Sequence, residues 1–551
     1  MATPAKHATA PQARRGYRDL REHIQALDAA GLLRTITEPV NKDTELHPLV
    51  RWQFRGGIPE ADRRAFLFTN VVDSKGRRYE MPVVVGALAT NPAIYGIGMR
   101  AEVADIGSKW TQAIAAPIAP RVVAEAPCQE VVLTGADLDG EGRGLDALPI
   151  PISTPGFDVA PFLTAACCIT RDPDTGVQNM GTYRCQLKGS RKLGLKMFLN
   201  IRAGGYEHWR KYKKRGEPMP MAVVVGCPPP VAYLGPQKLP EGVDELTVAG
   251  GIAGEPINVV RARTSELLVP AEAEIVIEGL VDTTWLEPEG PFGESHGHVN
   301  LEEYNFVIDV TAITRKRDAV LVSIISQVTP SESSVIKRVA YEPRFLAHLR
   351  DHLGIKGIVR VAMHEALTNL RKLLIVQVER GVPRTEVWRA LYGAASYDAI
   401  CGKYVIAVND DIDPDNADSV FWAMAYRADP GRDSQLLAHR PPGHGPKGGH
   451  DEESALLIDA TLKHPNAPVA LPTRPYMENA KALWEKLGLP TLKPESPWHG
   501  YQLGDWSDKW DQDAARAAAG DYAENGRRAA QDRRDDVMPN TYISAAPQRR
   551  E

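Results

Sequence analysis

Apolar positions along the chain change spacing three times, and each change predicts a different kind of element. From Tyr17 to Gly31, Leu20, Ile24 and Leu27 fall on one face of a helix, and Gly31 is placed to cap its C-terminus. Pro82–Leu88 is an apolar run of strand length, closed by a turn signal at Asn91-Pro92. Glu125–Pro155 is rich in Gly, Asp and Pro and reads as a connector. The middle third is strand-rich, with candidates at Met221–Cys227, Ile257–Arg261, Glu274–Leu280, Asn305–Ile313 and Ala319–Ser326. Turn residues separate them at short intervals, as in a small sheet or barrel domain. Beyond about residue 330 helix and strand alternate. Arg344–Leu353 and Pro383–Tyr392 read as helices, Leu373–Val378 and Tyr404–Val408 as strands, which together suggest a parallel or mixed sheet. Near the end, Asp511–Ala519 reads as a short surface helix stopped by Gly520 and followed by a more extended segment.

At 551 residues the chain is too long for one core. The expected division is a disordered lead-in at 1–16, an α/β region at 17–125, a central domain at 126–330, an α/β domain at 331–475 and a C-terminal extension at 476–551 that serves oligomerisation. A net charge of −5 gives no electrostatic case for nucleic acid, and no apolar run approaches the roughly 20 residues that span a bilayer. Met1–Arg15 has no apolar core of the kind a secretory signal needs. The six cysteines show neither a CxxC pair nor a disulfide-framework spacing, so free thiols in a cytoplasmic protein are expected.

Chemistry concentrates in Glu287–Val299. This stretch carries Glu287, Glu289, Glu294, His296 and His298 among three glycines and two prolines. The prolines and glycines rule out a regular helix, so the acids sit on a turning loop between two candidate strands. Such a loop suits proton transfer, with a solvated acidic turn as the alternative. A second constellation, Asn179-Met180-Gly181-Thr182-Tyr183-Arg184, follows the strand-like run Leu163–Ile169. Arg184 has a planar fork that can grip a carboxylate or phosphate, or simply join a surface ion pair. Asn179 offers an oxygen suited to a hard cation, or a turn. Glu245 opens a glycine-rich run and is either a metal ligand or a lone carboxylate. Asn409-Asp410-Asp411-Ile412-Asp413 can bind a cation but more often such residues cap a turn.

Together these strings resemble the UbiD family of prenylated-FMN-dependent decarboxylases, over about residues 17–475. The strongest parts are Pro288-Glu289-Gly290-Pro291-Phe292-Gly293-Glu294 and the Asn179…Thr182-Tyr183-Arg184 block, supported by Val405–Asp413, Phe421-Trp422-Ala423-Met424 with Arg427, and Leu457–Thr461. The resemblance implies an α/β (α+β multidomain) fold: an N-terminal α/β region, a central split β-barrel that binds flavin, and a C-terminal α/β domain with a helical tail. It implies Arg184, Glu289 and Glu294 as the catalytic network, with Glu294 the proton donor. It implies Thr182, Tyr183, Arg184, Lys196, Met197, Phe198 and Lys403 as contacts to prenylated FMN. Asn179, Glu245 and Asn200 are implied as ligands of a divalent metal (Mn2+, Fe2+ or Mg2+), with K+ nearby. The family often places a histidine where this chain has Asn200 or Arg202, so Asn200, His208 or water completes the shell.

The implied reaction is reversible, non-oxidative decarboxylation of an aromatic, heteroaromatic or α,β-unsaturated acid. The resemblance also implies a flavin prenyltransferase as cofactor supplier and assembly as a dimer to hexamer. A basic cluster at Arg210, Lys211, Lys213, Lys214 and Arg215 leaves an aroyl-CoA substrate, such as a phthaloyl-type thioester, open beside a free acid. Two other readings stand against the decarboxylase: a metal-dependent hydrolase using Glu294, His296 and His298, and an inactive flavin-binding scaffold.

Overall fold

The computed structural model describes residues 16–197, 203–237, 239, 242–368, 371–442, 445, 452–494, 506–541 and 543. Phe198, Asn200 and Arg202 lie outside them. The chain forms two compact units, one drawn from residues 1–347, 363–372 and 441–453, the other from 348–362, 373–440 and 454–551.

The first unit is organised by a ten-stranded antiparallel sheet. Its axis is the long strand Glu303–Arg315, which pairs with four neighbours. Ile275–Val281 and Glu287–Glu289 follow one another along one of its edges. Lys192–Leu195 and Val131–Thr134 share the other. The connector of the sequence reading therefore contributes a strand. A bulge helps the long strand change partners: Glu278 faces Ala312 and Gly279 faces Val310, so Thr311 is left over. A Cβ on Gly279 would lie 2.5 Å from the Ile308 side chain and 2.6 Å from the Asp309 carbonyl oxygen, so no larger residue fits the bulge.

Both faces of this sheet are covered, which explains the unbroken apolar run at its centre. In Met219–Val225, Met219, Met221, Val223 and Val225 enter one hydrophobic core, while Ala222 and Val224 enter another. Strand alternation thus distributes one run between two cores. Each fully buried Val or Met contributes about 1.5–3 kcal/mol. A four-stranded sheet (Leu33–Ile36, Ala65–Phe68, Val83–Val85, Leu321–Ser323) adds to the first core. The expected first helix runs Leu20–Ala29, capped by the Asp19 side chain, with Gly31 in the left-handed conformation just beyond it. Asn91-Pro92 starts the helix Pro92–Met99 rather than a turn, because the Asn91 side chain accepts from the Ile94 N–H.

The second unit holds the mixed α/β layer. Strands Leu373–Val378, Tyr404–Asn409 and Glu453–Asp459 pair in parallel, in a five-stranded sheet with helices Arg384–Tyr397 and Ala417–Arg427 in the connections. The segment expected as helix Arg344–Leu353 is the end of the helix Glu332–Ala347 followed by a π-helical turn. Asp411 forms a bidentate ion pair with buried Arg427, and Asp413 caps a turn at Asp415. After Gly520 the chain forms a further helix, Tyr522–Gln531, instead of the extended end expected. Helices Arg474–Lys486, Asp508–Ala518 and Tyr522–Gln531 bury no residue.

Candidate active site

Two tight connections in the large sheet bring the candidate residues together. Tyr183 and Arg184 join strands Gln178–Thr182 and Cys185–Gly189. Their neighbour across the sheet is the end of Lys192–Leu195, where the Lys196 N–H donates to the Arg184 carbonyl at 3.4 Å. The second connection is a hairpin, Phe292–Gly293 paired with Val299–Asn300. Its turn is closed by Glu294 N–H to the His298 carbonyl (3.1 Å) and Gly297 N–H to the Glu294 carbonyl (3.0 Å). Three residues before it, Glu289 ends a strand that pairs with Glu303–Asn305.

The result is an arginine held between two carboxylates. Arg184 Nε and Nη2 donate to the two Glu289 oxygens at 2.8 and 2.7 Å, a bidentate pair. Nη1 donates to Glu294 Oε1 at 2.7 Å. Glu289 is fully buried, and Asn305 Nδ2 donates to it at 3.2 Å. Glu294 is the most accessible of the three, with 11% of its side chain exposed against 6% for Arg184 and none for Glu289. The Ser295 N–H donates to Glu294 Oε2 at 3.0 Å. The Arg184 guanidinium also lies 4.8 Å from the centre of the Phe292 ring, which packs on Phe162. Burial alone would depress the Arg184 pKa, but the Glu289 hydrogen bonds and the Glu294 and Glu289 charges raise it. The guanidinium is a permanent charge.

Lys196 adjoins this group. Its Nζ donates to Glu303 Oε2 at 2.8 Å. The Asn300 carboxamide oxygen, in the orientation that satisfies its neighbours, accepts from Lys196 Nζ at 2.6 Å and Arg184 Nη2 at 3.3 Å. Thr182 donates its N–H to the Gly235 carbonyl, and the Tyr183 hydroxyl accepts from Gly205 N–H. Met197 is buried against Gly205, where an added Cβ would lie 2.9 Å from its sulfur.

Glu245 reaches the strand that carries Asn179, at the residue next to it. Glu245 begins the helix Glu245–Ala253, is 5% exposed, and accepts from the Met180 N–H at 2.8 Å. Burial pushes its carboxyl up to about 7, opposed by that N–H. Among the described residues no cationic side chain pairs with it. A buried carboxylate beside an amide, lacking a cationic partner, is a donor set that fits a hard divalent ion. His208 lies close by, with Nδ1 bonded to the Thr170 hydroxyl at 2.8 Å, and Thr170 faces Asn179 in the sheet register. Lys403 belongs to the second unit, just before strand Tyr404–Asn409.

The hydrolytic arrangement of Glu294, His296 and His298 is not assembled. The two histidines sit in the hairpin turn rather than on one face of a strand, and His296 Nδ1 accepts from the His298 N–H. Among the described residues no three His, Cys, Asp or Glu side chains are grouped to hold a metal. Residues that sequence reasoning missed are Asn305, Asn300, Glu303, Gln186 (which accepts from the Gly290 N–H) and Asp158 (which accepts from the Gly293 N–H). Only Asn305 and Glu303 carried a signal, since they alternate along a strand next to the acidic loop.

Residues 121–328 match the family model of the 3-octaprenyl-4-hydroxybenzoate carboxy-lyase Rift-related domain, and 334–444 match the C-terminal domain of the same enzyme. Among solved structures, the UbiD-class enzyme HmfF from Pelotomaculum thermopropionicum in complex with FMN is 28% identical, with a TM-score of 0.71 over 81% of this chain and 94% of that one. Vanillic acid decarboxylase from Sedimentibacter hydroxybenzoicus (21% identity, TM-score 0.70, 86% and 99% covered) shares the fold. So does 3,4-dihydroxybenzoic acid decarboxylase from Klebsiella pneumoniae (22%, 0.70, 84% and 99%). With both family models matched in order over more than half of its length, and with HmfF aligned along most of the chain, the protein belongs to the UbiD family of carboxy-lyases.

Proposed function

We propose that this enzyme catalyses the reversible, non-oxidative decarboxylation of an aromatic, heteroaromatic or α,β-unsaturated carboxylic acid with prenylated FMN. The observation that carries this reading is Arg184 clamped between buried Glu289 and the more accessible Glu294. Loss of carbon dioxide from an sp2 carbon leaves a charge that no side chain can delocalise; prenylated FMN, when bound, supplies that electron sink. Thr182, Tyr183, Arg184, Lys196 and Met197 would hold it. Asn179 and Glu245 would hold a divalent metal (Mn2+, Fe2+ or Mg2+), with K+ beside them.

A guanidinium has five N–H donors, and three of them serve the two carboxylates. Nη2 also reaches the Asn300 oxygen, so one N–H, on Nη1, remains to orient the substrate carboxylate. Glu289, paired bidentately, fixes the plane of the guanidinium. Glu294, on the accessible side, delivers the proton to the carbon that has lost carbon dioxide and takes one back in the carboxylation direction. Phe162 and Phe292 keep water from the guanidinium.

For the substrate we favour a free acid over an aroyl-CoA. Of the basic residues on helix Gly204–Arg215, Arg210 pairs with Glu207, and Lys211 and Arg215 pair with Asp172 and Asp174. Those charges are already neutralised on the protein's own surface. A homo-oligomer, dimer to hexamer, is supported by the tail helices, which expose Tyr476, Leu483, Leu487 and Tyr522; a strict monomer in light scattering would refute it. No helix among the described residues is long and apolar enough to cross a membrane. A cytoplasmic setting suits the buried free thiols Cys128, Cys167, Cys168, Cys185 and Cys227.

The test is an absorbance spectrum, with mass spectrometry of the released cofactor, on protein co-expressed with a flavin prenyltransferase. Carbon dioxide release is then followed across a panel of acids and thioesters. Prenylated FMN, with turnover abolished in Glu294→Gln while the flavin stays bound, supports the proposal. A folded, metal-loaded protein that binds no flavin overturns it.

A further inference from the structure

The hairpin that carries Glu294 is short, and its two strands make few bonds to each other. Its position is set by a separate loop, residues 153–158. Asp158 Oδ1 accepts from the Gly293 N–H at 2.8 Å, and Asp158 Oδ2 accepts from the Thr154 N–H at 2.6 Å. Thr154 packs directly on Gly293: a Cβ there would meet Thr154 Oγ1 at 2.2 Å and its Cβ at 3.0 Å. Gln327 Nε2 ties down the same loop, donating to the Ser153 carbonyl at 2.5 Å and Thr154 Oγ1 at 2.9 Å. Behind it, the Ser153 hydroxyl bonds His47 Nδ1 (2.9 Å), and His47 Nε2 bonds the Ser323 hydroxyl (2.8 Å). The loop is therefore anchored to the core on one side and grips the hairpin on the other.

The geometry points to Asp158 as a positioning residue: its carboxylate joins the anchored loop to Gly293 and so fixes the carboxyl group of Glu294. This inference rests on the role proposed for Glu294. It predicts a pH response, because an ionised carboxylate accepts both N–H groups and a protonated one cannot accept both well. Burial raises the Asp158 pKa to about 6, against the pull of the Gly293, Thr154 and Ser153 N–H groups and the charge of Arg184. The other titratable groups on the elements packed here are Glu294, His296, His298 and His47. Burial lowers the pKa of His296 and takes that of His47 down to about 3. The clamp is thus closed above about pH 6 and opens as the pH falls through it.

The test is amide hydrogen exchange with mass spectrometry on the full-length protein, comparing wild type with Asp158→Asn. Asparagine keeps the size but has one acceptor oxygen. The expected result is about tenfold faster exchange confined to peptides covering 290–300, a factor equivalent to about 1.4 kcal/mol of lost protection. With whichever acid the wild type decarboxylates, kcat falls about as much while KM holds, and the acidic limb near pH 6 disappears. Unchanged protection, or loosening spread evenly over the large sheet, overturns the inference. If the variant does not fold, wild type at pH 5 and pH 7, corrected for intrinsic exchange, decides: the hairpin loses protection at pH 5, or the inference fails. If wild type turns over no acid, the proposed function fails, while the exchange result still decides the role of Asp158.

Discussion

Replacing Arg184 with alanine separates what the arginine does for the fold from what it does for the chemistry. Glu289 has no exposed surface, and without Arg184 its remaining side-chain donor is Asn305 at 3.2 Å. Removing one partner of a buried ion pair costs about 3–5 kcal/mol, because the other charge stays behind unpaired. At roughly 2 °C per kcal/mol for a large domain, the melting temperature should fall by about 6–10 °C. The double variant Arg184→Met/Glu289→Leu removes both charges and restores apolar volume. It should recover most of the loss, to within about 1–2 kcal/mol of wild type, since replacing a buried pair by packed apolar residues is often neutral. Turnover should be absent from both variants. Differential scanning fluorimetry gives the stability, and carbon dioxide release gives the activity. Arg184→Ala melting within about a degree of wild type, or retaining full turnover, would refute the reasoning.

Three further outcomes follow from the same geometry. Mn2+ should raise the melting temperature of wild type but not of Glu245→Gln, and elemental analysis of the purified variant should show little bound metal. Between pH 7 and pH 5 the fully buried His47 should cost about 2 kcal/mol of stability. Its pKa of about 3 in the fold means that only the unfolded chain, near 6.5, takes up the proton, so stability present above pH 6.5 is lost as pH falls. In His47→Gln that part of the slope disappears from chemical denaturation, even though the variant is weaker at pH 7. Gly293→Ala should cut turnover at least tenfold by driving a Cβ into Thr154, and adding Thr154→Gly should restore part of it; no loss in the single variant would contradict the packing.

Much of the site was legible because its chemistry is carried by short contiguous strings. Arg184, Glu289 and Glu294 lie in segments whose glycines and prolines announce a loop, and the structure brings all three together. Helix and strand type also followed from local spacing: Leu373–Val378 lies where its apolar run placed it, and Leu20 and Leu27 are buried on one helix face. What sequence spacing could not reveal is contact between distant single residues. Asp158 reaches Gly293 across 135 positions, and Gln327 reaches Thr154 across 173. A lone polar side chain has no period, so nothing local marks it as a partner. Asn305–Ile313 read as one apolar strand, but the longer strand it belongs to, Glu303–Arg315, has four partners, and the bulge opposite Glu278 and Gly279 is defined only by the register. The carboxylates themselves were visible in the sequence. That Glu289 is sealed and Glu294 is partly open is decided by tertiary packing alone, because burial belongs to the neighbours a residue meets and not to the residue.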